Sequence, residues 1–199
     1  MAEPISLPAV PAPLTWWNTP VSHAVEPPDR LTIGAGPATD VFGDPGGTAR
    51  TANAPALLAE LAGDFTLAAR VELDFRTTYD AGVLFLHVDG DNHAKLCLEL
   101  SPQGRPTIVS VVTRGGVSDD CNSFTVDSGA RLRITRIGGA YAFHADTGDG
   151  FWHLVRYFAL PSPARVGFLA QSPLGEGQTV RFTEIAHTTA PPEDLRGGQ

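Results

Sequence analysis

Residues 65–100 read FTLAARVELDFRTTYDAGVLFLHVDGDNHAKLCLEL, and this stretch is the strongest indication of fold class. Apolar side chains recur at every second position in residues 65–75 and again in residues 93–100, with the apolar run 81–88 between them. Because successive side chains of a β-strand point to opposite faces, the pattern predicts three consecutive strands. The tract Asp89-Gly90-Asp91-Asn92 predicts a hairpin turn between the second and third strands.

Short apolar segments continue along the chain on both sides of this stretch. Further strands are predicted at 106–113, 123–126, 131–137, 141–144, 151–158, 165–170 and 179–187. Gly115-Gly116, Gly138-Gly139 and the segment 161–163 mark turns between them. The one predicted helical turn covers 54–61, after a possible cap at Asn53. The pattern therefore predicts an all-β protein, a two-sheet antiparallel β-sandwich.

Composition favours a single large domain. The chain has 199 residues, of which 42% are hydrophobic, and its 21 Gly and 17 Pro suit many tight connections. Residues 1–13 are rich in Pro and Ala and predict an extended N-terminal arm. Residues 14–189 form the predicted sandwich, and residues 190–199 (APPEDLRGGQ) predict a disordered tail.

The charge balance limits the classes of partner. A net charge of -8, from 22 acidic and 14 basic residues, makes nucleic acid and anionic membranes poor partners. No apolar run approaches the roughly 18 to 20 residues of a membrane-spanning helix, and the N-terminus lacks the pattern of a secretory signal. We expect a cytoplasmic protein, in which Cys97 and Cys121 are free thiols rather than a disulfide.

One predicted strand carries a polar face. In residues 93–100 the period of two places His93, Lys95, Cys97 and Glu99 on the same side, about 6 to 7 Å apart successively. A cation, a thiol and a carboxylate on one face can bind a polar ligand or support general acid-base chemistry. The alternative is a solvated strand face with no ligand.

Three residues are candidates for catalysis, with Glu99 as the acid or base and His87 or His93 beside it. Glycosidases need paired carboxylates, but Glu72-Leu73-Asp74 has Thr77 where the concanavalin-type glucanases place a third acid. The six histidines show no metal-ligand spacing, so we predict no metal and no other cofactor. Binding without catalysis is the favoured hypothesis.

A set of short motifs, in order and spacing, resembles one protein family over residues 14–185. The motifs are Trp17-Asn18-Thr19-Pro20, Thr39-Asp40-Val41-Phe42, Gly63-Asp64-Phe65, Tyr79-Asp80-Ala81-Gly82-Val83, Ala94-Lys95-Leu96-Cys97-Leu98-Glu99, Ser110-Val111-Val112-Thr113, Ser118-Asp119, Leu132-Arg133, Trp152, Arg156, Val166-Gly167 and Ser172-Pro173. The chain resembles the regulation-of-enolase family of concanavalin A-like domains, whose function is not known. This chain departs from the family pattern by having Phe42 and Asp120 at two positions usually occupied by tryptophan.

The resemblance implies a jelly roll of the concanavalin A-like lectin and glucanase type, with polar residues on its concave sheet. It implies relatives that bind or cleave carbohydrates. The hypothesis that follows is a binding module that recognises a saccharide or another small polar molecule in the concave face. The residues expected to bind the ligand are Tyr79, Asp80, Lys95, Glu99, Thr113, Ser118 and Asp119.

Two alternatives stay open at this point. The same groove could hold an enzyme site that acts on a glycoside or a specialised metabolite, with Glu99 in the central role. The domain could instead be a regulatory module with a protein partner, as the family name suggests. The oligomeric state is left open as well.

Overall fold

The computed structural model describes residues 3–47, 49–161 and 164–199 of the chain. In this part of the chain there are sixteen strands and no helix, which confirms the all-β prediction. None of its segments is a helix long and apolar enough to cross a bilayer. Part of the predicted arm, Met1 and Ala2, and part of the predicted turn, Ser162 and Pro163, lie outside the described residues.

Fourteen strands form two seven-stranded antiparallel sheets, which confirms the two-sheet sandwich. The front sheet has the spatial order β1 (Thr15–Trp17), β6 (Ala56–Ala59), β15 (Arg165–Gln171), β8 (Ala81–His87), β9 (His93–Leu100), β10 (Pro106–Arg114) and β11 (Val117–Thr125). The back sheet has the order β14 (His153–Ala159), β13 (Ala140–Asp146), β12 (Ala130–Ile137), β7 (Phe65–Leu73), β16 (Gln178–Thr188), β3 (Arg30–Ala35) and β2 (Ser22–Glu26). The remaining pair, β4 (Val41–Gly43) and β5 (Arg50–Ala52), forms a separate hairpin.

The main core lies between the two sheets, where the apolar face of each strand is buried. Leu84, Leu96 and Phe168 of the front sheet belong to one cluster with Leu132 and Phe182 of the back sheet. The rings of Phe168 and Phe182 are 5.2 Å apart across the interface. This alternation is the pattern that the sequence showed in residues 65–100.

A second, smaller apolar cluster lies on the outer face of the front sheet, the face that points away from the back sheet. It contains Val83, Cys97 and Leu169, covered by Val41 of the β4–β5 hairpin. The backbone N–H of Gly43 fixes this hairpin by donating a hydrogen bond to Ser118 Oγ at 2.9 Å. The outer face therefore has an apolar floor and a fixed cover, which together shape the site described below.

The predicted helical turn at 54–61 is wrong. Residues Ala56–Ala59 form β6, a strand paired with β1 on one side and β15 on the other. All four of its residues are buried, so both faces of the strand are covered. A strand covered on both faces has a continuous apolar sequence, in which the period of two is lost.

Residues 118–122, which precede the strand predicted at 123–126, also lie in a strand. Residues Val117–Thr125 form β11, the edge strand beside β10. Most of its residues are exposed, because the strand has a neighbour on one side only. Because residues 118–122 lack apolar alternation, the sequence predicted only the end of this strand, at 123–126.

Both ends of the described chain pack against the sandwich. In the N-terminal arm, Leu7 and Val10 are buried in the main core. The C-terminal residues differ from the expected disordered tail: Leu195 is buried, and its carbonyl oxygen lies 2.8 Å from His144 Nε2. Gln199 Nε2 donates to the carbonyl of Trp152 at 3.1 Å. The reason is local, since the tail forms hydrogen bonds with residues at the back sheet, as an acceptor at Leu195 and as a donor at Gln199.

Candidate functional site

A pocket of about 210 Å³ opens on the outer face of the front sheet. Eight residues line it: Asp40, Phe42, Tyr79, Lys95, Glu99, Val111, Asp120 and Gln171. They come from the hairpin, the turn before β8, and strands β9, β10, β11 and β15. We call this the Lys95–Glu99 pocket.

Strand register brings the polar residues together. Lys95 on β9 is paired with Val111 on β10, and Val111 is paired with Asp120 on β11. Paired residues of neighbouring antiparallel strands project to the same face. Lys95 and Glu99 are separated by an even number of residues, so they share that face as well.

Lys95 is the buried cation of the pocket, with 2% of its surface exposed. Its Nζ donates to Asp40 Oδ1 at 3.0 Å and to Gln171 Oε1 at 3.1 Å, and lies 5.7 Å from the centre of the Phe42 ring. Burial alone would lower the pKa of Lys95, but nearby acidic groups, Asp40 foremost, outweigh it and raise the pKa. The ammonium therefore stays charged at the bottom of the pocket.

Glu99 is nearly as buried, with 8% of its surface exposed. Burial raises its pKa to about 8; the Lys95 ammonium opposes this shift, and the carboxylates of Asp120 and Asp40 add to it. Its carboxyl group accepts no hydrogen bond within the part of the chain that the structure describes. Glu99 is therefore protonated at neutral pH and free to interact with a ligand.

Asp120 and Tyr79 lie at the rim. Partial burial raises the pKa of Asp120, although the residue is exposed at the surface. The Tyr79 residue has a φ of 70° and is 38% exposed. Gln171 Nε2 donates to the Tyr79 carbonyl at 3.3 Å, which links the rim to the amide that holds Lys95.

The arrangement combines an ion pair, a proton-carrying carboxyl group and two aromatic rings around a small hollow. Hydroxyl or amine groups of a ligand can bond to the carboxyl oxygens, and Phe42 and Tyr79 offer ring surfaces. A carboxyl group with a pKa near neutrality is also able to give or take a proton.

Asp80, expected to bind a ligand, is instead a structural residue. It is fully buried, and its carboxylate accepts from the hydroxyl of Ser172 at 2.7 Å and the backbone N–H of Thr77 at 2.9 Å. Gln178 Nε2 donates to it at 3.2 Å. These donors satisfy the charge inside the protein, so Asp80 holds the turn before β8 and does not line the pocket.

Thr113, Ser118 and Asp119 also lie outside the pocket. Thr113 Oγ1 and Ser118 Oγ are 2.8 Å apart, and Ser118 is the residue that holds the hairpin. Asp119 alternates with Asp120 along β11 and therefore points to the other side of the sheet. There its Oδ2 pairs with Arg156 Nη2 at 2.6 Å and joins the edges of the two sheets.

The two candidate histidines share the outer face of the front sheet but do not reach the pocket. His87 and His93 are paired across β8 and β9. The His87 ring lies 4.5 Å from that of Trp17, and the His93 ring lies 5.8 Å from that of Phe85. Burial lowers the pKa of each to about 4, so both are neutral. Of the catalytic candidates, the structure places Glu99 alone in the pocket.

Five lining residues were not among the predicted ligand-binding residues: Asp40, Phe42, Val111, Asp120 and Gln171. Phe42 and Asp120 are the two positions where the sequence departs from the family pattern. This departure from the family pattern was the feature of the sequence that could have identified these two residues. Gln171 ends β15 and meets Lys95 through a long-range pairing, for which no local signal exists.

Both cysteines are free thiols. Cys97 lies in the apolar floor beneath Val41, and Cys121 is exposed. Across residues 3–47, 49–161 and 164–199, no three His, Cys, Asp or Glu side chains gather as a metal-binding group. The absence of a cofactor stays a prediction.

A family model described as "Protein of unknown function (DUF1349)" matches residues 16–190. No curated protein matches the sequence. This match supports the resemblance at the level of the family, and the solved structures described next support the concanavalin A-like fold. The regulation-of-enolase name stays a prediction.

Three solved structures illustrate the fold. A functionally unknown protein from Saccharomyces cerevisiae is 26% identical, with a TM-score of 0.80 over 90% of this chain and 97% of that chain. The GH43 BlXynB protein from Bacillus licheniformis is 12% identical, with a TM-score of 0.63 over 81% of this chain and 33% of that one. The VIP36 exoplasmic/lumenal domain, in its Ca²⁺/Man3GlcNAc-bound form, is 12% identical, with a TM-score of 0.54 over 91% and 85%. The last two show the shared fold alone, and this chain spans about a third of the GH43 protein.

Proposed function

This chain belongs to the DUF1349 family of proteins of unknown function, and we propose that it binds a saccharide or another small polar molecule in the Lys95–Glu99 pocket. Lys95, Asp40 and Gln171 form the fixed polar base, and Glu99 is the group that meets the ligand. Phe42 and Tyr79 supply apolar surface for one face of a ring.

One observation carries the proposal: Glu99 is only 8% exposed, its carboxyl group forms no hydrogen bond with the described residues, and what remains accessible of it faces the pocket. Burial of a polar group without a partner costs roughly 1–3 kcal/mol. The Glu99 carboxyl group avoids this cost by opening onto the pocket, where a ligand can supply the hydrogen bonds that the protein does not.

Pocket size supports a small ligand. Sites for drug-sized ligands span about 300–1,000 Å³. The Lys95–Glu99 pocket, at about 210 Å³, suits a single sugar ring or a ligand of similar size. The fold shared with a domain solved in a Man3GlcNAc-bound form agrees with a sugar as the ligand.

The test is calorimetric titration of the full chain with a panel of monosaccharides and small polyols. Glu99→Ala should reduce the affinity of any ligand that binds by about tenfold or more, since it removes the free partner. Asp119→Ala is the matched control, because Asp119 is an acidic residue of the same sheet that points away from the pocket. Equal affinity in folded Glu99→Ala protein would rule out the pocket as the site.

A second candidate, an enzyme that acts on a glycoside or a related metabolite, is favoured by the raised pKa of Glu99. A carboxyl group with a pKa of about 8 can act as a general acid at neutral pH, and Asp120 is a second carboxyl group on the same pocket. Turnover of 4-nitrophenyl glycosides, with a pH–rate limb near 8 that is lost in Glu99→Gln, would establish this function. Lack of turnover across the panel, together with tight binding, would leave the binding role.

A further inference from the structure

The polar groups that line the Lys95–Glu99 pocket are mostly acceptors. Two of the three N–H bonds of Lys95 are engaged by Asp40 and Gln171, and the Gln171 amide donates to the Tyr79 carbonyl. Within the described part of the chain the Glu99 carboxyl group accepts no hydrogen bond, and the Asp120 carboxyl group accepts one, from the backbone N–H of Cys121. An ionised carboxyl group offers acceptors alone, and a protonated one, as Glu99 is at neutral pH, offers one O–H donor and further acceptor capacity. The pocket therefore has more acceptors than donors and favours a ligand that supplies donors.

The charges of the lining residues also favour a ligand that supplies hydrogen-bond donors. Among the eight described lining residues there are three carboxyl groups, Asp40, Glu99 and Asp120, and a single cation, Lys95. The Lys95 ammonium forms its ion pair with Asp40 at 3.0 Å, with 2% and 20% of the two side chains exposed. Once that pair is formed, Glu99 and Asp120 have no opposite charge of their own.

The aromatic residues add to the attraction. Phe42 lies 5.7 Å from Lys95 Nζ, so the ring already faces a cation, and Tyr79 stands at the mouth. Aromatic faces attract ammonium groups when the rings are within about 6 Å of the charge. An acceptor-rich, acidic and aromatic-lined hollow is complementary to a cation.

We propose that the pocket selects a ligand that carries an ammonium group, such as an amino sugar, and that Glu99 and Asp120 bind this group. The inference rests on the proposed function and names its ligand class. A neutral sugar would form no ion pair with Asp120 or with the ionised form of Glu99, and an anionic ligand would be repelled by Asp120.

Ion pairing with the ligand also predicts the release of a proton. Glu99 is protonated near neutral pH, because burial and the carboxylates of Asp120 and Asp40 outweigh the Lys95 ammonium and hold its pKa at about 8. The Cys97 thiol on the same strand face is uncharged, since burial raises its pKa. An ammonium that binds at Glu99 favours the ionised form, so each binding event should release close to one proton near pH 7.

The experiment compares D-glucosamine with D-glucose and N-acetyl-D-glucosamine, which share a ring but lack the charged amine. Galactosamine and mannosamine, each with its parent sugar, extend the comparison. Calorimetry on the full chain at pH 7, in two buffers of different ionisation enthalpy, gives affinity and proton release together. We expect an amino sugar to bind about tenfold or more tightly than its neutral partners. Glu99→Gln should remove both the preference and the proton release, and Asp119→Ala should retain both.

Three outcomes would overturn the ammonium inference, and they differ in what they leave of the proposed function. Neutral sugars that bind as tightly as their amino forms, with loss of affinity in Glu99→Ala, would overturn the ammonium inference and leave the proposed binding function standing. An amine preference that persists in folded Glu99→Gln protein would place the cation elsewhere and overturn the inference. No binding by any sugar at millimolar concentration would remove both the inference and the saccharide proposal.

Discussion

At the scale of the residue, the buried Glu99 carboxyl group makes the stability of the fold depend on pH. Its pKa is about 8 in the folded protein and near 4.5 in the unfolded chain. The folded state therefore holds a proton that the unfolded state loses between these values. Stability from this group is present below pH 4.5 and is lost as the pH rises towards 8.

Glu99→Gln should remove this dependence on pH, because glutamine has nearly the same shape and no charge. The free energies of unfolding of the two proteins should be similar at pH 5. At pH 8 the variant should be more stable by roughly 3 kcal/mol, since each pH unit contributes about 1.4 kcal/mol. Urea unfolding across this range measures it, and the titration of His87, His93 and His144 cancels in the comparison. A constant difference between the two proteins at every pH would contradict the assigned environment of Glu99.

Asp80 and Asp119 provide a second test at the residue scale. Asp80→Ala should lower the free energy of unfolding by about 2–4 kcal/mol, because it leaves buried donors such as the Ser172 hydroxyl without an acceptor. Asp119→Ala removes an exposed ion pair and should cost less than about 1 kcal/mol. Urea unfolding of both variants measures this, and similar losses would contradict the structural role of Asp80.

The sequence predicted part of the site and missed the rest for identifiable reasons. Alternation along one strand was sufficient to place Lys95 and Glu99 on one face. Asp80 has the composition of a binding residue, but its partners Ser172 and Gln178 are distant in sequence, so its structural role could not be anticipated. The contact between Lys95 and Gln171 is also formed by tertiary structure alone.

At the scale of the element, the β4–β5 hairpin decides whether the pocket exists. It brings Asp40 and Phe42 over the front sheet, and its position depends on close contact with the turn between β10 and β11. A Cβ atom added at Gly43 would overlap the carbonyl oxygen of Gly116. Glycine is required there because two backbones meet with no space for a side chain.

Gly43→Ala should lift the hairpin and expose the floor of the pocket. Cys97 lies in that floor beneath Val41, so its reaction with a thiol reagent reports the opening. In a Cys121→Ser background, we expect Gly43→Ala to raise the rate of Cys97 modification by about tenfold or more, as local opening becomes easier.

Gly46→Ala is the matched control for this prediction. Gly46 lies in the turn of the same hairpin, and a Cβ atom there would meet its nearest neighbour, Asp44 Oδ1, at 3.5 Å, an ordinary contact. Its Cys97 reactivity should equal that of the parent protein. Equal rates in both glycine variants would show that the hairpin does not cover the pocket in the manner described.

The strands that were predicted best are those in which apolar and polar residues alternate most regularly. Strand β9 was expected at 93–100 and is observed as His93–Leu100. Strand β6 was missed and β11 was predicted only at its end, at 123–126, for opposite reasons: β6 is apolar on both faces, and β11 is largely exposed. The hairpin that completes the pocket is formed by strands of three residues, too short to show a period.

At the scale of the whole molecule, the separation of the two sheets is set in part by Gly82 of β8. An added Cβ atom would press on the side chains of Val71 and Val180 of the back sheet, so these two side chains pack directly against the backbone of β8. Gly82→Ala should lower the free energy of unfolding by about 1–3 kcal/mol through overpacking.

Gly139→Ala is the control for the sheet interface, since a Cβ atom at Gly139 has no neighbour within 4 Å. It should change stability by less than about 0.5 kcal/mol. Urea unfolding of the two variants measures this difference. A neutral Gly82→Ala would contradict the close approach of the sheets at this point.

The fold class was the most predictable property, because alternation repeated over many strands identifies two buried faces without knowledge of their partners. The sheet order was not predictable from this pattern. In the front sheet β15 lies beside both β6 and β8, a set of neighbours from distant parts of the chain. Long-range pairing of this kind brings Gln171 to Lys95 and so completes the pocket.

The central claim is that a small polar ligand binds in the Lys95–Glu99 pocket. The most direct test is a two-dimensional amide NMR spectrum of the isotope-labelled chain, recorded during titration with the sugar that binds most tightly in the calorimetric panel. We predict that the shifted amides cluster at 40–42, 79, 95–99, 120 and 171, around the pocket. Shifts confined to the back sheet, or to the His87 and His93 end of the front sheet, would contradict the claim.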